Sequence, residues 1–418
     1  MTNLNWKLIA EIAGGVLFVA LLVWFFFLRS PGLEPADTAQ LQTFGEGDAV
    51  SGINAAGQDS SNSAQTIQSP TSLQKVFKIS DGPVAGATFM QEPRPTTTVA
   101  RFVMQQNGHV LDLAIDSPGS VARAVSNTTI PGASQVVWLM QTSLGRQVAA
   151  GAVLQYLDNG TIKSVALVFP QSTTTLSIPA PVRIQFLPDN LRSVAASPDG
   201  TSLAYVVATA AGSDGYIARA DGTNPRKVFS LPLSQMIVSW PSTQVILATS
   251  KAATGVPGIA FSINTTSGVA SPILYTAGLT ATADFGFNQV VYQSATADSR
   301  RTYTHNTTTN LDRPLSFDPI PHKCVWSRVQ ASTMYCAVPL SYTAPEYVDL
   351  WHQGAASAAD SVLAYNLVTG QTTIVASPGG ADGGVASDIM QMALSADEKY
   401  LLFVSKGNRS LWGVRLSN

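Results

Sequence analysis

The chain has 418 residues, enough to bury a large core and to divide into several segments. Charged residues make up only 12% and the net charge is −2, without basic runs, which argues against nucleic acid because phosphate binding needs clustered Lys and Arg. Two cysteines, Cys324 and Cys336, exclude a disulfide-dense scaffold and a multi-cysteine zinc site.

The amino terminus carries the clearest signal. From Ile12 to Leu28 no charged or strongly polar residue occurs, and Leu8–Ala10 extend the run, interrupted only by Glu11. About 20 helical residues at ~1.5 Å each cross a ~30 Å hydrocarbon core. The run ends in Trp24-Phe25-Phe26-Phe27 and then Arg29, an interfacial aromatic cluster followed by a charge. A cleavable signal would be shorter and followed by a small-x-small site, and Arg29-Ser30-Pro31 offers none. Residues 1–29 therefore predict an uncleaved anchor that spans a membrane through residues 8–28. Lys7 and the free amino terminus, set against Arg29, favour a cytoplasmic amino terminus and a periplasmic or extracellular bulk.

Residues 30–74 are rich in Gly, Ser, Gln, Asn and Ala without helical or strand period, and read as a disordered linker. From residue 75 to 418 the pattern changes to short alternating runs such as Val99–Val103, Leu203–Val207 and Tyr400–Val404, separated by Gly, Asn, Asp and Pro. That is an all-β domain of many strands. A short strand ending at an anchor residue, a tight turn and a strongly apolar strand recur together. The anchors are Phe89, Trp138, Ala196, Trp240, Phe285, Trp326 and Leu394, at intervals of roughly 40 to 70 residues. Four strands per unit is the pattern of a propeller blade, so seven anchors predict a seven-bladed β-propeller. Six or eight blades, or a β-sandwich, fit the spacing less well. Lys75–Ile79 is an orphan strand and the last unit has room for only three, so pairing the two would close the ring and remove an exposed edge.

Ser197-Pro198-Asp199-Gly200-Thr201-Ser202-Leu203-Ala204-Tyr205, followed by Asp214-Gly215-Tyr216-Ile217 and Ala220-Asp221-Gly222-Thr223, resembles the blade motif of TolB-like (WD-type) propellers. Ser395-Ala396-Asp397-Glu398-Lys399-Tyr400-Leu401-Leu402-Phe403 is similar to a second copy. The resemblance implies a propeller of the kind that serves as a periplasmic or surface platform for protein partners. Related propellers front some serine peptidases, but a hydrolase domain is not expected after the last unit here.

Candidate chemistry is sparse. His109, His305, His322 and His352 are scattered, with no paired metal-ligand spacing, no Gly-x-Ser-x-Gly elbow and no calcium loop. No catalytic residue, metal or cofactor is expected, and the chain reads as a non-enzyme. The Asp-Gly pairs at 81, 199, 214, 221 and 382 read as turns. Asn127, Asn264 and Asn306 precede Thr-Thr, a glycan acceptor pattern that Thr-rich turns also produce. Trp138, Trp240, Phe285 and Trp326, one per blade, read as inter-blade core rather than a sugar-stacking stripe.

Leu340–Asp360 breaks the repeat. It joins the second and third strands of blade six, on the face that would also carry Ala295–Arg301, Asp318–His322 and Ser377–Ser387. Its Tyr342, Tyr347, Trp351 and His352 are the candidate partner-binding residues, and packing of these aromatics onto the propeller is the alternative. Cys324 and Cys336 fall opposite each other in one hairpin and predict a disulfide, consistent with an oxidising exterior. The sequence thus favours a membrane-anchored, extracytoplasmic protein-interaction platform, with a polysaccharide- or small-ligand-binding propeller as the alternative.

Overall fold

A computed structural model describes residues 67–69, 74–93, 96–126, 128–143, 145–170, 182–341 and 344–416. The expected anchor, residues 8–28, lies outside the described residues. Among the described residues no helix is long and apolar enough to cross a membrane.

The described strands form seven four-stranded antiparallel sheets. Their first strands are Val84–Pro93, Ala133–Ser143, Ser193–Ala196, Met236–Ser242, Thr280–Ala283, Cys324–Trp326 and Ile389–Leu394. First strands of neighbouring sheets touch around most of the ring, between blades 1 and 2, 2 and 3, 3 and 4, 6 and 7, and 7 and 1, and line its inner side, so the fold is a seven-bladed β-propeller. Six of the seven sequence anchors lie in these strands, and Phe285 follows two residues after the fifth. Hydrophobic clusters fill the spaces between adjacent blades; Ala195, Ala204, Val206, Phe229, Met236 and Ile246 bridge blades 3 and 4 in this way. Apolar residues that alternate on both sheet faces supply this packing, because a blade has a neighbour on each side.

Val76–Ser80 closes the ring. It pairs with Leu411–Arg415 as the outer strand of blade 7, with Val76 opposite Val414 and Phe77 opposite Gly413. The Phe77 ring lies over Gly413 where any side chain would collide with it. Blade 3 repeats the device, with the Phe229 ring over Gly215. Asp214-Gly215 is therefore not the turn expected from its composition. It lies inside the strand Gly212–Arg219, and a bulge follows at Gly215/Tyr216. Ile67–Ser69, within the segment expected to be linker, is bonded to blade 1 through Ser69 N–H to Ser120 O and Ala122 N–H to Ile67 O.

The two motif copies Ser197–Tyr205 and Ser395–Phe403 build the same turn between first and second strands. Ser197 Oγ and Thr201 N–H donate to Asp199, and Ser395 Oγ and Lys399 N–H donate to Asp397. Burial acts to raise both carboxyls, but these donors outweigh it and hold both below the usual carboxylate range. Glu398 stands where blade 3 has Gly200, with φ 53°, and its carboxylate crosses to blade 6. There it accepts from Ser327 Oγ (2.7 Å), Arg328 N–H (2.7 Å) and Val329 N–H (3.1 Å). Asn264 and Asn306 cap the equivalent third turns of blades 4 and 5, each accepting two backbone N–H groups, as Asn366 does in blade 6. Their Thr-Thr context is thus turn chemistry. Asn127 lies outside the described residues.

The anchors do not all pack alike. Trp326 is buried, and Trp138 and Trp240 pack half-buried against the inter-blade clusters. Phe285 departs from the core expectation: it is 39% exposed at a turn tip, with the Arg328 guanidinium 3.6 Å from its ring centroid. Two positions past its strand, the ring leaves the inter-blade space and gains a cation instead.

Candidate functional site

The second strand of blade 6, Thr333–Pro339, and the third, Asp360–Asn366, are joined by the insertion. Its centre is a six-residue helix, Tyr347–His352. Gly354, with φ 78°, ends the helical stretch while its N–H donates to Trp351 O. Tyr347, Val348 and Trp351 fall on one helical face, and that face is buried against Ile320, Ala356, Ala358 and Met390. Leu350, on the opposite face, is exposed.

The helix reaches four blades. Asp349 Oδ2 accepts Thr254 N–H of blade 4 at 2.7 Å. The Arg300 guanidinium of blade 5 lies 5.8 Å from the Tyr347 ring centroid. Lys406 of blade 7 donates to Trp351 O (2.6 Å) and Ala356 O (2.8 Å), and its Nζ lies 4.6 Å from the Trp351 ring centroid.

Under Trp351 sits a buried charge network. Lys323, the last residue of the 3-10 turn Pro321–Lys323, has a fully buried side chain. Its Nζ donates to Asp360 Oδ2 (2.5 Å) and Asp388 Oδ1 (2.8 Å), tying the start of blade 6 to the start of blade 7. Asp388 also accepts the Trp351 indole N–H at 2.8 Å, and Asp360 Oδ2 accepts Ile389 N–H at 2.7 Å. Burial pushes the Asp360 carboxyl up to about 6, although Lys323 and Ile389 N–H pull it down. Burial likewise lowers the Lys406 ammonium, against the attraction of Asp388. Two ammoniums and two carboxylates balance in charge, which is what buried ions need in order to remain ionised.

His322 and His352 meet edge to face, with ring centroids 5.3 Å apart. Burial, then the neighbouring His352, lowers the His322 pKa to about 4; burial also lowers that of His352, with Asp349 opposing. Both rings retain solvent-exposed surface although protein surrounds them, so water reaches imidazoles that are neutral at pH 7. Beside the insertion, between blades 5 and 6, opens a cavity of about 540 Å³ lined by Asp298, Arg300, Arg301, Asp318, Pro339 and Leu340. Arg301 Nη1 stands 3.6 Å from Asp318 Oδ2, and Asp318 Oδ1 accepts Thr302 N–H. Such a volume accommodates a small polar ligand. Among the described residues no three His, Cys, Asp or Glu side chains are grouped to hold a metal ion.

The structure brings the insertion, Ala295–Arg301 and Asp318–His322 to one face. Tyr347 and Trp351 are only 6% and 8% exposed, because helical spacing turns both onto the seat, which is the packed arrangement weighed as the alternative. His352 keeps an exposed edge, and Tyr342 lies outside the described residues. Cys324 stands opposite Cys336 and Trp326 opposite Met334, and the two cysteines are bonded. Sequence reasoning missed Lys323, Asp360, Asp388 and Lys406. The available signal was a charge directly before an apolar inner strand in two successive blades, Lys323 before Cys324-Val325-Trp326 and Asp388 before Ile389-Met390.

No protein-family model matches the chain, and no curated protein matches it. Solved structures do. An oligogalacturonate lyase in complex with manganese is 12% identical, over 82% of this chain and 98% of that one, with a TM-score of 0.48. TolB from Acinetobacter baumannii is 9% identical over 81% and 65%, with a TM-score of 0.36. The β-propeller domain of the Trilobed protease from Pyrococcus furiosus is 13% identical over 61% and 74%, with a TM-score of 0.40. At such identities the likeness concerns the fold alone.

Proposed function

We propose that the chain is a membrane-anchored, extracytoplasmic propeller that docks a protein partner on its insertion-bearing face, binding rather than catalysing. The observation that carries this reading is a set of large apolar side chains left in water around the seated helix. Val256 is 56% exposed beside Thr254, Leu340 is 62% exposed at the cavity rim, and Leu350 is 39% exposed on the outer side of the helix. Apolar side chains grouped on a loop-built face suit an interface. The apolar run of residues 8–28 supports the anchor, and the Cys324–Cys336 bond suits an oxidising compartment. A small-ligand or polysaccharide reading is favoured by one feature, the cavity with Arg300, Arg301, Asp298 and Asp318 on its wall.

Two measurements test the proposal. Protease added to intact spheroplasts should remove the propeller, and full protection would overturn the external placement. A photo-crosslinking residue at Leu350 or Val256 should capture one and the same polypeptide in membranes. The same residue at Tyr275, 73% exposed on the outer strand of blade 4, should not. Equal capture from all three positions, or none from the first two, would refute docking on this face.

A further inference from the structure

We propose that the insertion helix is a lid across the mouth of the propeller's axial channel, able to lift as a unit while the blades stay folded. This is independent of the docking reading, because it concerns how the helix is held rather than what lands beside it.

The placement comes first. A segment that leaves blade 6 and contacts Thr254 of blade 4, Arg300 of blade 5 and Lys406 of blade 7 lies along a chord of the ring. The space it crosses is wet. Ser239, in the middle of the inner strand Met236–Ser242, is solvent-exposed, and an inner-strand residue at mid-length has only the channel to face. His322, under the end of the helix, is surrounded by protein yet open to water.

The attachment comes second. The helix shares no backbone ladder with any blade; its own N–H groups bond within the insertion, Leu350 to Glu346 O and Gln353 to Asp349 O. What holds it is the buried face of Tyr347, Val348 and Trp351, the Asp349 bond, the Lys406 ammonium and the Trp351–Asp388 bond. The seat is also incompletely satisfied. Thr254 Oγ1, Tyr347 OH and Asp360 Oδ1 are buried there without a hydrogen-bond partner among the described residues. A buried polar atom left unpaired favours the state in which water reaches it. Adjacent blades, by contrast, meet over apolar clusters of ten buried residues, as between blades 3 and 4 and between blades 6 and 7, against four at the helix seat. The contact between lid and ring is therefore the weaker of the two.

Hydrogen exchange of the full chain in detergent, resolved to single residues by fragmentation mass spectrometry, tests this. The amides of Leu350, Gln353, Gly354 and Ala355 should exchange with one common opening constant, roughly 100-fold or more faster than those of Thr333–Pro339 and Asp360–Asn366. Lys406→Met should raise all four lid rates together by about 10-fold and leave the strands unchanged. Asp349→Asn, which weakens only the contact to blade 4, should act in the same direction and keeps the test valid if the first variant fails to fold. Lid amides that exchange at the strand rate, or that fray one by one with unrelated rates, would overturn the lid. So would variants that speed lid and strands by the same factor.

Discussion

Replacing Lys323 with Met should cost more at pH 7 than at pH 5, by an amount set by Asp360. Met fills a similar volume but leaves Asp360 and Asp388 without their shared ammonium, at 2.5 Å and 2.8 Å in the native protein. Removing one partner from a buried ion pair typically costs about 3–5 kcal/mol. Asp360 has an escape, because it can take up a proton. Neutralising a carboxyl of ordinary pKa 3.8 costs about 1.4 kcal/mol for each pH unit above that value, or roughly 4.4 kcal/mol at pH 7 and 1.6 at pH 5. In the native protein burial already raises Asp360 to about 6, so this group opposes folding in full above that pH, and the opposition fades as the pH falls from about 6 toward 3.8. Without Lys323 the carboxyl moves higher still. The wild type already carries about 3.0 of those 4.4 kcal/mol at pH 7 and nearly all of the 1.6 at pH 5, so the expected loss for Lys323→Met is about 3–4 kcal/mol at pH 7 and smaller by about 1–1.5 kcal/mol at pH 5. Urea unfolding of wild type and variant at the two pH values measures it. Equal losses at both, or a loss below about 1 kcal/mol at pH 7, would refute the account of Asp360 as the group left unpaired.

Two other perturbations address different contacts. Glu398→Ala removes the acceptor for Ser327 and two backbone N–H groups across the blade 6–7 boundary and should cost about 2–4 kcal/mol in the same assay; a change within about 0.5 kcal/mol would show the latch to be idle. Mass spectrometry of unreduced protein should find no free thiol, and Cys324→Ala/Cys336→Ala should lose about 2–3 kcal/mol for the 12-residue separation, whereas two free thiols in fresh native material would exclude the bond.

The blade count was legible because it is written in period. Each inner strand must present apolar residues to two neighbours and then turn sharply, so Trp138, Trp240 and Trp326 recur with turn residues after them. Ring closure was legible for a related reason, since Val76-Phe77-Lys78-Ile79 had strand character and no partner nearby. Asp214-Gly215 misled because the same dipeptide that makes a turn also makes room under a phenyl ring, and composition does not separate the two. The insertion showed itself as an interruption, but the direction of Tyr347 and Trp351 depended on what lay below them. That seat joins Lys323, Asp360 and Asp388, which stand far apart in the chain and have no common period. Their pairing is a property of the assembled ring, and local pattern carries no trace of it.

The strand that seals blade 7 also sets a timetable for synthesis. Arg409 bonds to Val84 O, 325 positions earlier, next to the closing pair Val76–Ser80 and Leu411–Arg415. At ~5–20 residues per second, the early strand waits roughly 15–65 s for its partner to be made. During that interval Phe77, Ile79 and Val84 lack Leu402, Val404 and Leu411, with which they form one buried cluster. The nascent chain thus carries an apolar, unpaired edge from nearly the first blade to the last, and productive folding requires that edge to be shielded from neighbouring chains until the ring shuts.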